Sequence, residues 1–170
     1  VIPLTYRQIM GYERVIVGSD GSDSALRGVH RAAEIAASSE AELLPLCPYN
    51  PSASSAAAPV DPTSATHEEV RGEQQARATL EESVGRINAA RIPEVRKRAV
   101  ADEPADALLA AADNPDTDLI VVGNRGLGAE GETLLGSVPG AVARRATCDV
   151  LIVQTVYHHD ATPIAPPDTT

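Results

Sequence analysis

The stretch LIVVGNRGLGAEGETLLGSV, residues 119–138, decides the fold. It opens with an apolar run ending at Gly123, and four more glycines follow at positions 126, 128, 131 and 136. A short continuous apolar run ahead of turn residues is the pattern of a strand buried on both faces. A glycine-rich loop after such a strand brings main-chain N–H groups close to phosphates, whereas Glu130 and Glu132 in the same loop repel them. GLGAEG, residues 126–131, matches GxGxxG in its letters. A dinucleotide fold carries that motif after its first strand, with an acid near the end of the next. Here the motif follows a fourth strand, and Asp149 begins the next strand instead of ending it. GETLLGS, residues 131–137, resembles GxxxxGKS but lacks the lysine that meets the β- and γ-phosphates.

Working outward, RVIVG at 14–18 reads as a first buried strand. Ser22 or Asp23 caps the helix after it, in which Leu26, Val29, Ala33 and Ala36 recur at helical spacing. ELLPLC at 42–47 is a second strand, expected to be irregular at Pro45, and residues 48–66 form a Pro/Ser/Ala loop. A second helix is expected from His67 to Ala90, burying Ala76, Leu80, Val84 and Ile87. EVRKRAV at 94–100 is a third strand, and Pro104 opens a third helix with Ala107, Leu108 and Ala111 inward. After the glycine loop, Ser137 and Pro139 open a fourth helix with Ser137 as a good N-cap, and DVLIVQT at 149–155 is the last strand. Strands that alternate with helices and are apolar on both faces imply an α/β fold: a five-stranded parallel sheet with helices on both faces. Its domain runs over 12–155, between an upstream extension at 1–11 and a polar, proline-rich tail at 156–170.

The 170 residues suit one core, and with four Tyr as the aromatic complement that core is built from Val, Ile, Leu and Ala. A net charge of −10 argues against duplex nucleic acid and anionic membranes, and the densest basic run, Arg96-Lys97-Arg98, is short enough to be a solvated strand edge. No run is long and apolar enough to span a bilayer, and no signal peptide is expected. Cys47 and Cys148 have no CxxC or metal-ligand spacing and read as small buried apolar residues of a reduced, cytoplasmic chain. His30, His67, His158 and His159 converge with no carboxylate cluster, so no metal site and no nucleophile–base–acid set is expected.

Two segments together resemble the universal stress protein family: VIVGSDGSDSA at 15–25 and GNRGLGAEGETLLGSV at 123–138. The second contains the spacing Gly, two residues, Gly, nine residues, Gly-Ser on Gly123, Gly126, Gly136 and Ser137. The resemblance implies a Rossmann-like sheet of the adenine nucleotide alpha hydrolase type, with strand order 3-2-1-4-5. It implies an adenine nucleotide ligand (ATP, AMP or cyclic AMP), with or without Mg²⁺, in a regulatory stress-response role, and at most weak ATP hydrolysis. It also implies a homodimer through the last strand. The resemblance assigns Gly18, Ser19 and Asp20 to the adenosine part and Pro48 to the adenine edge. It sets Gly123 and Gly126 close to ribose and phosphate, Gly136, Ser137 and Val138 at phosphate, and Asn124 and Gly128 among the nucleotide-binding residues, while Arg125 adds a charge-assisted hydrogen bond if its side chain turns inward. Glu130, Glu132 and the missing N–H of Pro48 weigh against a triphosphate more than against a monophosphate or cyclic nucleotide. Two alternatives are an ATP-pyrophosphatase-like enzyme using SDGSDS at 19–24, and a partner-binding family member without nucleotide.

Overall fold

The computed structural model describes residues 11–50, 62–124 and 135–154. The expected extension before residue 11, the tail beyond residue 154 and the centre of the glycine loop lie outside them. Elements alternate along the chain: β1 (Arg14–Gly18), α1 (Asp23–Ser39), β2 (Glu42–Tyr49), α2 (Pro62–Gly85), β3 (Glu94–Val95), β4 (Arg98–Ala101), α3 (Pro104–Ala112), β5 (Leu119–Gly123), α4 (Ser137–Arg145) and β6 (Asp149–Val153). Every pairing is parallel, and the strands lie in the order β3/β4, β2, β1, β5, β6. This is the α/β sheet that the alternation implies.

Because successive residues of a strand face opposite ways, each strand feeds two cores. Val15, Val17, Leu43, Leu119 and Val121 pack under α1. Ile16, Leu46, Ile120 and Val122 pack with Leu108 of α3 and Val142 of α4. That double burial is why the strands read as continuous apolar runs. Ser22 caps α1 by accepting from the Ala25 amide at 3.1 Å, and Glu40 ends it in the left-handed region at φ 54°.

Three expectations need correction. The second strand is not irregular at Pro45, which is buried and aligned with Val17 inside a continuous β2. The interruption falls on the neighbouring strand: β3 and β4 keep one register, Leu43 opposite Val95 and Leu46 opposite Arg98, with the intervening pairs missing. Leu43 turns its carbonyl outward to the Arg96 amide at 2.9 Å. Two residues on, Pro45 faces the same way and has no N–H to offer, so the ladder lapses opposite Lys97. The second helix spans Pro62–Gly85 and not His67–Ala90. Its opening turns carry no apolar periodicity to mark them, and Ile87 packs against the α1-side core from beyond the helix end.

Candidate functional site

The order β2–β1–β5 reverses the direction of sheet growth between β1 and β5, which pair from Val15–Leu119 to Val17–Val121. The loops leaving these two strands therefore start side by side at the carboxyl edge, where open parallel sheets take their ligands.

On the β1 side, the Ser19 amide donates to the Leu46 carbonyl at 2.9 Å, and its buried hydroxyl lies 3.0 Å from that of Ser83. Ser83 donates its one proton to the Thr79 carbonyl at 2.7 Å, so Ser19 is the donor of the pair. The Ser19 side chain thus ties the loop to α2. Asp20 is exposed, and its Oδ1 accepts from the Ser22 amide at 3.0 Å and the Ser22 hydroxyl at 2.6 Å. This carboxylate stabilises the turn that launches α1. Gly21 takes φ 81°, and a Cβ there would stand 3.1 Å from Thr79 Cγ2. At Gly18 a Cβ would approach Leu108 Cδ1 to 3.3 Å, so α3 packs closely over this position.

Pro48 lies opposite Val100, near the end of β2. The β1–β2 ladder stops at Gly18–Leu46 and the Ser19 amide, because the next rung requires an N–H that Pro48 lacks. Beside it, burial pushes the Cys47 thiol up to about 11, with the Asp20 carboxylate adding to the shift.

On the β5 side, Asn124 is buried and closes the neck of the glycine loop. Its amide donates to the Val153 carbonyl at 2.9 Å, its Nδ2 to Gln154 Oε1 at 2.8 Å, and its carbonyl accepts from the Gly136 amide at 2.9 Å. Gly123 ends β5 directly before it. Arg125, Gly126 and Gly128, with Glu130 and Glu132, lie outside the described residues. Gly136, not Ser137, is the N-cap of α4: it is extended at φ −63° and ψ 169° and offers no side chain. Ser137 is therefore the first helical residue, and its exposed hydroxyl is not used as a cap. The amides of Ser137 and Val138 have no acceptor within the helix, and Pro139 has no amide proton. The sequence reading missed Thr79 and Ser83 of α2; a serine on the buried stripe of Ala76 and Leu80 was the available signal.

The first residues beyond the strands at this edge, 19–22, 50, 102–103, 124 and 154, contain Asp20, Asp102 and Glu103 but no lysine or arginine. Among the described residues no three His, Cys, Asp or Glu side chains converge as metal ligands.

A family model described as the Universal stress protein family matches residues 11–154. The chain belongs to the universal stress protein family. Universal stress protein Rv1636 of Mycobacterium tuberculosis is 42% identical over 144 residues, which cover 85% of this chain and 97% of that protein. A universal stress protein of Thermus aquaticus is 32% identical over 143 residues, covering 84% and 99% of the two chains. Among solved structures, that of a universal stress protein in complex with cAMP aligns with a TM-score of 0.66 and 42% identity, over 86% of this chain and 99% of the other. The universal stress protein of Archaeoglobus fulgidus in complex with dAMP, at 22% identity and a TM-score of 0.52, shares the fold. In this family member the segments that follow β1 and β5 start from neighbouring strands at the switch point of the sheet.

Proposed function

We propose that this universal stress protein is a regulatory, non-catalytic binder of an adenine nucleotide with a single phosphate, AMP or cyclic AMP, in the crevice between the β1 and β5 loops. The observation that carries the reading is the count of donors at the start of α4. The Gly136 amide is already bonded to Asn124 and Pro139 has none, which leaves the amides of Ser137 and Val138 and the Ser137 hydroxyl. Convergent amides at a positive helix end suit one phosphate group. A triphosphate brings further charge to an edge that already carries Asp20, Asp102 and Glu103. The relative at 42% identity solved with cAMP supports the same choice. Asp20 then acts through the turn it holds with Ser22, and its engaged oxygen favours binding over the pyrophosphatase alternative.

The reading includes a homodimer through β6, whose Val150, Leu151, Ile152 and Val153 are only partly buried and whose outer main-chain edge is unpaired among the described strands. Isothermal calorimetry with AMP, cyclic AMP and ATP tests the ligand assignment. Either mononucleotide binds at least as tightly as ATP; a tenfold preference for ATP overturns it.

A further inference from the structure

Helix α3 runs between two clefts of opposite charge. On one side, a cleft of about 460 Å³ is lined by Arg14, Arg96, Lys97 and Arg98 against a single carboxylate, Glu42. On the other, a cleft of about 340 Å³ is lined by Asp102, Asp106 and Asp113 against Arg145. Ala110 borders both clefts and is exposed on the ridge between them. Most of these charges already have partners: Arg14 with Glu42, Arg96 with Glu94, Lys97 with Glu81 and Arg145 with Asp106. Among the described residues, Arg98 and Asp113 have none, and they lie on opposite flanks of the same helix.

We propose that a second copy of this chain docks across α3 on a two-fold axis that runs along the helix, seating Arg98 of each copy against Asp113 of the partner subunit around Ala110. The direction of the axis follows from the charges. Rotation about a line along α3 exchanges left and right flanks, so the basic cleft of one copy meets the acidic cleft of the other. Rotation about a line across the helix sets like charges face to face. A two-fold contact uses each pair twice, and a small residue on the axis lets the two helices approach to the ordinary packing distance of about 8–10 Å. A chain of net charge −10 repels its copies at long range. A complementary charge pattern is what local association must then supply. The contact lies on a helix face, apart from the β6 edge, and does not depend on nucleotide binding.

Sedimentation velocity of the full chain at low and high salt tests the proposal, with far-UV circular dichroism confirming that each variant is folded. At low salt the wild-type mass is twice that of Arg98→Glu, of Asp113→Arg and of Ala110→Arg, and high salt reduces the wild type to the same smaller species. The double variant Arg98→Glu/Asp113→Arg regains the larger mass, because both pairs are restored with their signs exchanged. An unchanged mass in the folded single variants, or a double variant that stays small, overturns the proposal.

Discussion

The phosphate end of the proposed site rests on Ser137 and Val138, whose N–H groups stand at the start of a nine-residue helix with no acceptor inside it. Because Ser137 is the first helical residue, a proline there keeps the helix while removing both an amide and a hydroxyl. A hydrogen bond to a charged group contributes about 1.5–3 kcal/mol. Ser137→Pro therefore weakens AMP or cyclic AMP binding by about tenfold or more in calorimetry, with little change in thermal stability. Cys47 is a second residue with a measurable signature. The fold holds its thiol neutral, raising it from 9.0 to about 11. Its contribution is intact below pH 9 and is lost as pH rises through 11, since the unfolded chain then releases the proton more readily than the folded one. Wild-type melting temperature falls more steeply than that of Cys47→Ala over this alkaline range. At this scale the sequence singled out Asp20, Ser19 and Asn124 as candidates but not what their side chains do. Ser19 and Asn124 bond to Ser83 and Gln154, residues distant in sequence, and motif spacing carries no record of those partners.

Elements were legible where apolar periodicity was strong and blurred where a neighbour decided the outcome. RVIVG and LIVVG announced β1 and β5 directly, since double burial leaves no polar position from Val15 to Val17 or from Leu119 to Val122. The break between β3 and β4 is invisible in EVRKRAV itself, because its cause is Pro45 on the adjacent strand. The N-cap of α4 shifted by one residue because Gly136 takes the extended conformation that Ser137 was expected to adopt. Helix α2 offers a paired test of packing against propensity. A Cβ at Gly72 would stand 2.9 Å from Tyr49 Cδ2, whereas nothing lies within 4 Å of one at Gly85. Gly→Ala gains up to about 1 kcal/mol of helix propensity, and overpacking costs about 1–3 kcal/mol. Gly72→Ala thus lowers stability in urea unfolding by about 1 kcal/mol, while Gly85→Ala raises it by about 0.5–1 kcal/mol.

For the molecule as a whole, composition and alternation sufficed for the architecture: few aromatics, aliphatic strands and intervening helices leave a covered parallel sheet as the stable solution. The candidate site followed from topology once the order β2–β1–β5 set the two motif-bearing strands side by side. What the sequence could not show was which amides are free at the start of α4, where the Gly136 amide is taken by a bond to Asn124 twelve residues earlier. The central claim is that one phosphate of an adenine nucleotide sits on the start of α4. Amide chemical-shift mapping by two-dimensional NMR during titration with AMP addresses it most directly. The account predicts the largest shifts at Ser137 and Val138, accompanied by residues 18–22 across the crevice. Saturable binding whose shifts leave the Ser137 and Val138 amides unmoved, or no binding at millimolar AMP and cyclic AMP, would contradict it.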